Sequence, residues 1–236
     1  MQSNYQFLSS VYDEVMGHNY LETYKDLIKK SIGKSTRKSI LDLGCGTGTL
    51  LSSLSGKNKT FGIDISPQMI KIAKAKDKKT RYRVMNIQNF RLGRSFDIIT
   101  CAFDTINHIT SFKGWQDIFK SVHKHLAENG IFIFDVNTPE GFAGINNKIL
   151  TKTLPFGYVA METKSKKNFC TWRIKIVTRG NQCIYKVHEE TIQEAAFPLK
   201  RITAELEKYF KVTHAPTRMP ARRIFFTCKK RVNAGC

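Results

Sequence analysis

The fold is decided by the stretch Ile40-Leu41-Asp42-Leu43-Gly44-Cys45-Gly46-Thr47-Gly48-Thr49-Leu50-Leu51. Its apolar first part predicts a buried strand, and the glycines that follow predict a sharp turn into a helix. Glycine lets the backbone turn and lets a ligand approach without a Cβ in the way. The free N–H groups of the helix N-terminus then face that ligand. We therefore expect a ligand-binding loop here, and a glycine-rich turn that binds nothing is the plain alternative.

A second apolar run, from Phe61 to Ile65, brings the carboxylate of Asp64 to the end of the next strand. Carboxylates at this place in such folds accept hydrogen bonds from both hydroxyls of a ribose. The other acid, Asp42, disfavours a pyrophosphate and suits a ligand that carries positive charge. Together the two segments predict a pocket for an adenosine-bearing ligand.

Length and composition restrict the class of protein. The 236 residues, 41% of them hydrophobic, suit one domain with an insertion. No apolar run reaches the ~18 residues of a membrane span, and the first residues lack the pattern of a signal peptide. We therefore expect a cytoplasmic protein without a membrane partner. The six cysteines lack metal-ligand spacing, so neither a metal site nor a disulfide is expected.

The net charge of +20 raises the question of a nucleic-acid partner. Basic residues within 74–83 interleave with core positions, and we interpret them as solvated faces of a helix and a strand. A cluster near the C-terminus is the better candidate for a phosphate-binding surface; it consists of Arg218, Arg222, Arg223, Lys229, Lys230 and Arg231. Nucleic acid is a possible partner but not the favoured one, because a lysine-rich composition also serves solubility.

Strand and helix patterns alternate over the first 137 residues, which predicts a parallel, doubly wound sheet. Two helices are expected within 5–32, ahead of this sheet. Ser66 and Pro67 are the expected N-cap and first residue of a later helix. The predicted strands are 39–43, 60–64, 81–85, 96–101 and 131–136, with further helices at 47–55 and 114–127.

The pattern changes after residue 137. Short segments rich in β-branched and aromatic residues predict an antiparallel meander at 156–163, 168–178 and 181–189. A helix at 199–209 and strands at 212–217 and 223–227 then return to the main sheet. We accordingly divide the chain into 1–137, cap helices and ligand-binding core; 138–190, an antiparallel insertion on the substrate side; and 191–236, the return to the core sheet.

The Asp-x-Gly-x-Gly-x-Gly pattern that starts at Asp42 resembles the first motif of the class I S-adenosylmethionine-dependent methyltransferases. Segments 85–90, 96–104 and 126–135 are similar, in order, to the motifs at the third, fourth and fifth strands of that superfamily. The resemblance implies an α/β fold with a doubly wound, mostly parallel, seven-stranded Rossmann-like sheet and an antiparallel insertion after the fifth strand. It also implies S-adenosyl-L-methionine as the cofactor and S-adenosyl-L-homocysteine as its product.

The same resemblance implies which residues contact the cofactor. Asn86 stands where the superfamily usually has an aspartate that accepts from the adenine amino group, and its carbonyl oxygen can still accept that hydrogen bond. The ring of Tyr12 is expected to cover the methionine end. The full set of expected contacts is Tyr12, Asp42, Gly44, Cys45, Gly46, Asp64, Ile65, Met69, Asn86, Ile87 and Phe103.

Within the superfamily, the Tyr12-Asp13 pair, Tyr20, segment 104–109 and the insertion are similar to the branch that methylates small molecules, which includes glycine, sarcosine and amino-sugar N-methyltransferases. This implies methyl transfer by in-line displacement to a nitrogen or oxygen of a small-molecule acceptor. Segment 102–105 lacks the Asn/Asp-Pro-Pro-aromatic signature of enzymes that methylate exocyclic base amines. An RNA methyltransferase and a non-catalytic S-adenosylmethionine-binding subunit stay open as alternatives, as does the oligomeric state.

Two residues are candidates for catalysis. His108 follows the fourth strand and is either a general base for an acceptor that arrives protonated or a packing residue. Asp104 accepts from the cofactor ammonium, orients an amine substrate or caps the turn that follows. The expected substrate contacts are Tyr20, Asn107 and His188.

Overall fold

The computed structural model describes residues 5–16, 20–32, 37–179, 185–216 and 222–231. These residues form two β-sheets and seven α-helices. The strands are β1 (Ser39–Leu43), β2 (Lys59–Asp64), β3 (Arg81–Val84), β4 (Phe96–Cys101), β5 (Leu126–Asn137), β6 (Ile149–Leu154), β7 (Gly157–Lys166), β8 (Phe169–Arg179), β9 (Tyr185–Ala195), β10 (Phe210–Pro216) and β11 (Arg223–Lys230). The helices are α1 (Tyr12–Met16), α2 (Leu21–Ile32), α3 (Thr49–Leu54), α4 (Pro67–Lys76), α5 (Phe112–His125), α6 (Pro139–Gly144) and α7 (Leu199–Leu206).

The main sheet has seven strands in the order β10-β11-β5-β4-β1-β2-β3. Strands β1 to β5 run parallel to one another, whereas β11 pairs antiparallel with both β5 and β10. This arrangement confirms the predicted α/β fold with a mostly parallel seven-stranded sheet. It also brings the carboxyl ends of β1, β2 and β4 together at one edge, which is where open α/β sheets bind ligands.

Aromatic packing holds this sheet rigid. The rings of Phe132 and Phe134 stack with centroids 4.6 Å apart, and Phe226 of β11 stacks on Phe134 at 4.7 Å. Helix α5 covers them with the side chains of Trp115 and Phe119, which are fully buried. Interiors packed in this way resist deformation, so the strand ends are fixed in position.

The second sheet is antiparallel, with strand order β6-β7-β8-β9. Its inner face presents Val159, Ile174 and Ile192 to a short 3-10 helix, Leu8–Val11, near the start of the chain. The buried side chains of Leu8 and Val11 complete this cluster. The insertion is therefore packed against the N-terminal segment, residues 5–16, and does not form a separate unit.

Several predicted elements differ from the structure; β5, for example, begins at Leu126 instead of 131, and α5 ends at His125 instead of 127. Strand β6 was not predicted, because five of its six residues are exposed at a sheet edge and give no alternation of buried and exposed side chains. Strand β9 continues to Ala195, beyond the predicted limit at 189, since residues 190–195 also pair with β8. Helix α7 ends at Leu206 instead of 209. Positions 181–184, Thr217 and Arg218, which the predictions included, lie outside the described residues.

A search of the helices among the described residues found none with the length and apolar character needed to cross a bilayer.

Candidate functional site

The glycine-rich turn leaves the end of β1 through left-handed backbone at Gly44 and Gly46, with φ of +67° and +52°. A Cβ at Gly44 would overlap the side chain of Thr105, so no other residue fits there without a shift. A Cβ at Gly46 would meet nothing within 4 Å, because this residue faces an open cavity. The turn thus needs glycine at one position for packing and presents bare backbone to the cavity at the other.

The carboxylate of Asp64 joins the turn to the next strand end. The N–H of Gly46 donates to Oδ2 of Asp64 at 2.9 Å, and the N–H of Ser66 donates to Oδ1 at 2.8 Å. Burial raises the pKa of Asp64, and these backbone donors lower it. Each carboxylate oxygen has a second lone pair, so the group keeps the capacity to accept from two hydroxyls. Ser66 caps α4 as predicted, because its Oγ accepts from the N–H of Met69 at 3.3 Å.

Asp42 lies one layer deeper. Its side chain is 2% exposed and accepts a 2.6 Å hydrogen bond from Oγ1 of Thr100 on β4. Burial raises the pKa of Asp42 to about 7. The carboxyl group therefore supports the turn from below and does not line the cavity.

The cavity itself has a volume of about 320 Å³. It lies between the glycine-rich turn, the N-terminal segment and the inner face of the second sheet. Seven of the predicted site residues line it: Tyr12, Tyr20, Gly44, Cys45, Gly46, Phe103 and Asp104. The turn and the loop after β4 therefore form a common wall of the cavity.

Other predicted cofactor residues lie at the carboxyl ends of β2 and β3, beside this cavity. Ile65 is 50% exposed, whereas Met69 and Ile87 are buried. Oδ1 of Asn86 accepts from the N–H of Gln88 at 2.9 Å, which leaves one lone pair on that oxygen. The roles of these four residues and of Asp42 toward the cofactor stay predictions.

His108 does not line the cavity, whereas Tyr5, its hydrogen-bond partner, does. The Tyr5 hydroxyl and Nε2 of His108 are 3.0 Å apart, and Tyr5 lines the cavity. Burial lowers the pKa of His108, so its ring is neutral near pH 7. Burial, with nearby Tyr12 and Glu194, raises the pKa of Tyr5. A base role for His108 would act through the Tyr5 hydroxyl, and Tyr5 was not among the residues predicted from the sequence.

Two predicted substrate contacts lie outside the cavity. Asn107 is fully buried; its Nδ2 donates to the carbonyls of Asn137 and Ala195 at 3.2 and 2.9 Å, and its Oδ1 accepts from the N–H of Asn137 at 3.0 Å. This side chain connects β5 to β9. The ring of His188 stacks on Phe7 with centroids 4.0 Å apart. Both side chains hold parts of the fold together, and neither of them reaches the cavity wall.

A buried charge network, missed by the sequence analysis, lies under the loop after β4. Arg223 of β11 pairs with Asp104 at 3.2 Å and also with Asp135 of β5. The hydroxyl of Tyr24 donates to Asp135, and the N–H of Asp104 donates to the same carboxylate at 3.0 Å. The guanidinium of Arg223 also lies 4.6 Å from the ring centre of Tyr20. Asp104 is thus an ion-pair partner, and its side chain does not cap the following turn.

Glu194 was also missed. It lines the cavity from β9 with 4% of its surface exposed. The sequence did contain a sign of this placement, because Glu190, Ile192 and Glu194 occupy every second position and so share one face of a strand. The prediction ended this strand at residue 189, which concealed the pattern. Trp172 of β8 also lines the cavity.

Comparison with known proteins identifies the family. Residues 40–130 match the family model described as a methyltransferase domain. The chain is 26% identical to the putative methyltransferase YqeM of Bacillus subtilis, with 96% of this chain and 97% of that protein covered. It superimposes on an S-adenosylmethionine-dependent methyltransferase from Clostridium acetobutylicum with a TM-score of 0.84 and 25% identity, covering 96% of this chain and 98% of that one. The chain belongs to the class I S-adenosylmethionine-dependent methyltransferases.

A further similarity is partial. Over 42% of this methyltransferase and 40% of the relative, it is 28% identical to the dTDP-4-amino-2,3,4,6-tetradeoxy-D-glucose N,N-dimethyltransferase of Saccharopolyspora spinosa. The matched family residues, 40–130, include the glycine-rich turn, Asp64 and the loop after β4. Glu194 and Arg223 lie outside them. The family match therefore covers the cofactor side of the cavity but not its opposite wall.

The cofactor of this methyltransferase is S-adenosylmethionine. The residues present fit it. Gly46 offers open backbone toward the cavity, and Asp64 keeps free lone pairs beside it. The rings of Tyr12 and Phe103 line the same space. When bound, the cofactor supplies an electrophilic methyl group on a sulfonium, which leaves as a neutral thioether.

Proposed function

We propose that this methyltransferase transfers a methyl group to a nitrogen or oxygen of a small-molecule acceptor. The observation that carries the proposal is the cavity, which the N-terminal segment and the second sheet cover on the side opposite the glycine-rich turn. Clefts of this size, lined largely by apolar and aromatic side chains, are typical of small-molecule sites. The name of the Saccharopolyspora relative, an amino-sugar N,N-dimethyltransferase, is consistent with such an acceptor.

Displacement at a methyl group needs mainly alignment and exclusion of water, so the chain's own work is positioning. Two contacts fix the N-terminal segment over the cavity. Oγ1 of Thr47 donates to Asp13 at 2.5 Å, and Nζ of Lys76 pairs with the same carboxylate at 2.5 Å. At the other end, the carboxylate of Glu190 accepts from the N–H groups of Phe7 and Leu8. We propose that this segment closes the reaction space.

Calorimetric titration with S-adenosylhomocysteine, with NAD as the control ligand, tests the cofactor side of the proposal. Binding of the first without the second is expected. The acceptor side is tested by incubating the enzyme with labelled S-adenosylmethionine and a panel of small amines, alcohols and carboxylates. Tight cofactor binding without transfer to any member would favour the non-catalytic subunit over an enzyme of this class.

RNA methylation is the second candidate, and one observation favours it. Residues 57–94 carry eleven lysines and arginines and only two carboxylates. All eleven basic side chains are exposed, whereas Asp64 and Asp77 are engaged with neighbouring N–H and hydroxyl groups. The guanidinium of Arg94 lies 4.3 Å from the ring centre of Phe61 on this surface.

The C-terminal cluster gives this candidate less support. Arg223 is buried in ion pairs, Nζ of Lys230 donates to the carbonyl of Leu126 at 2.7 Å, and Nε of Arg231 donates to that of Phe210 at 3.1 Å. Titration of a labelled RNA oligonucleotide at about 50 and about 200 mM salt decides the matter, since contacts to several phosphates lose orders of magnitude in affinity over that range. The double variant Arg81→Glu/Arg83→Glu is expected to abolish such binding, and weak binding without salt dependence would remove the candidate.

A further inference from the structure

The wall of the cavity opposite the glycine-rich turn carries a buried carboxylate. Glu194 belongs to β9, where it pairs across the sheet with Cys170, two residues beyond the buried Ile192. Only 4% of its surface is exposed, and it lines the cavity. The side chain is therefore directed into the reaction space and away from bulk water.

Glu194 adjoins the loop after β4, where the sequence places the catalytic candidates. The side-chain amide of Asn137 donates to Oδ2 of Asp104 at 2.5 Å and to Oε2 of Glu194 at 3.3 Å. One amide group thus bridges the two carboxylates. Because Oγ1 of Thr105, the next residue, donates to the carbonyl of Gly44 at 3.4 Å, Glu194 is connected by short contacts to the cofactor turn.

The charges in this wall do not balance. Arg223 is shared between Asp104 and Asp135, and no lysine, arginine or histidine among the described residues forms an ion pair with Glu194. Three carboxylates therefore adjoin the guanidinium of Arg223; Arg222 also lines the cavity, but it pairs with none of these three carboxylates. Burial of a charged group without a counter-charge is costly. In a chain of net charge +20, an excess of carboxylates at this one place is not explained by composition.

We propose that Glu194 binds the protonated amine of the acceptor and takes one proton from it, so that the enzyme methylates nitrogen and rejects acceptors that present a carboxylate. This inference rests on the proposed function and specifies the chemical class of its acceptor. An ammonium supplies the missing positive charge beside Asp104 and Glu194. A carboxylate would add a fourth negative charge to the same wall, which is unfavourable at short range.

The proposed proton transfer and methyl transfer conserve atoms and charge. The ammonium nitrogen gives a proton to the Glu194 carboxylate and so regains its lone pair. That lone pair forms the bond to the methyl carbon while the sulfur–methyl bond breaks, and the bonding electrons go to sulfur. The product is a methylated ammonium, a neutral carboxyl group and a thioether, and release of the carboxyl proton to water restores the site.

The surroundings of Glu194 favour the transfer of a proton from the ammonium to its carboxylate. The titratable and charged groups that face it are Asp104 from the loop after β4, Arg223 from β11, Tyr5 from the N-terminal segment and Cys170 from β8. Burial, with a smaller contribution from Asp104, raises the pKa of Glu194 to about 8, while Asn137 and Arg223 lower it. Such a value lies close to that of an amine, which favours proton transfer between them.

The test compares wild type with Glu194→Gln, which keeps the shape and the acceptor atom for Asn137 but not the charge. A matched control is Glu189→Gln on the same strand, because that carboxylate is 65% exposed and pairs with Lys175 outside the cavity. S-adenosylhomocysteine affinity is measured first for all three proteins. Methyl transfer is then measured with the amines glucosamine and ethanolamine, with their hydroxyl counterparts glucose and ethylene glycol, and with the carboxylates glycolate and malonate, between pH 6 and 9.

We expect transfer to at least one amine and to none of the carboxylates. Glu194→Gln is expected to lower kcat/KM for that amine at least tenfold and to remove the rise of kcat/KM toward pH 8, with S-adenosylhomocysteine affinity unchanged. Glu189→Gln should match wild type. Transfer to a carboxylate, no transfer to any amine by cofactor-binding enzyme, or an unaltered pH profile in Glu194→Gln overturns the role of Glu194. Failure of wild type to bind S-adenosylhomocysteine instead overturns the proposed function.

Discussion

The N–H of Gly46 donates a 2.9 Å hydrogen bond to the carboxylate of Asp64, a residue on the neighbouring strand. This bond joins the cofactor turn after β1 to the end of β2. The second oxygen of Asp64 accepts from Ser66 at the start of α4. One carboxylate thus fixes the relative positions of a turn, a strand end and a helix N-terminus, while each oxygen retains a lone pair for a ligand.

Asp64→Ala is expected to weaken S-adenosylhomocysteine binding by about 1–3 kcal/mol, the usual cost of losing buried hydrogen bonds. Calorimetric titration measures the change. Asp77→Asn is the matched control, because the Asp77 carboxylate likewise accepts from a backbone N–H, that of Lys79, but at the far end of α4. The control is expected to bind the ligand as wild type does. Unaltered affinity in a folded Asp64→Ala protein would remove the ribose role from Asp64.

Gly46→Ala should separate backbone strain from ligand exclusion. Gly46 and Gly93 both have left-handed backbone, with φ of +52° and +61°, and an added Cβ meets nothing within 4 Å at either position. The strain of alanine in this conformation is about 1 kcal/mol in both. Only Gly46 lines the cavity, and Gly93 lies in the exposed loop between β3 and β4.

We therefore expect urea denaturation to report similar losses of stability for Gly46→Ala and Gly93→Ala. S-adenosylhomocysteine affinity should fall at least tenfold in the first and stay constant in the second. Equal affinities in the two variants would mean that the ligand does not approach the backbone of Gly46.

The cofactor half of the molecule could be predicted from sequence because its signals are local. Ser66 caps α4 through neighbours a few residues away, and Asp64 contacts Ser66, two residues on, and Gly46, only 18 residues back. Short-range geometry of this kind is recorded directly in residue spacing. The parallel, doubly wound character of the sheet followed from the alternation of strand and helix patterns, whereas the order of the strands was not predicted.

The opposite wall could not be predicted, because its contacts join distant parts of the chain. Arg223 meets Asp135 across 88 positions, and Tyr24 meets the same carboxylate across 111. Only the antiparallel pairing of β11 with β5 brings Arg223 to the end of β5. As one base in a C-terminal cluster, Arg223 was interpreted as a surface charge. Its burial depends on register, which a single sequence does not specify.

Asp42 is expected to contribute a loss of stability as pH rises from about 4 to about 7. Burial raises the pKa of Asp42 to about 7, so the folded state holds a proton that the unfolded state has released in this range. Stability from this group is complete below the unfolded pKa and is lost as pH approaches the folded value. The difference amounts to no more than about 4 kcal/mol, at 1.4 kcal/mol per pKa unit.

Asp42→Asn removes the proton exchange and keeps an oxygen for the hydroxyl of Thr100. Urea denaturation at pH 5 and pH 8 is expected to show wild type losing stability relative to Asp42→Asn at the higher pH. A constant difference between the two proteins across this range would show that Asp42 does not hold its proton in the folded state.

Arg223→Met is expected to destabilise the fold by about 3–5 kcal/mol, because it leaves the carboxylates of Asp104 and Asp135 buried without their counter-charge. Arg222→Met, at the neighbouring exposed position, should change stability by less than about 0.5 kcal/mol. Thermal or urea denaturation provides both values.

The double variant Arg223→Met/Asp135→Asn decides whether the loss comes from charge or from packing. If the unpaired carboxylates cause it, neutralising Asp135, which is fully buried, should recover a large part of the lost stability. If the methionine merely packs badly against Tyr20 and Tyr24, the double variant will be no more stable than the single one. Recovery would establish that β11 is held to β5 by ion pairing at the site itself, so that the wall of the cavity and the last strand of the sheet form as one unit.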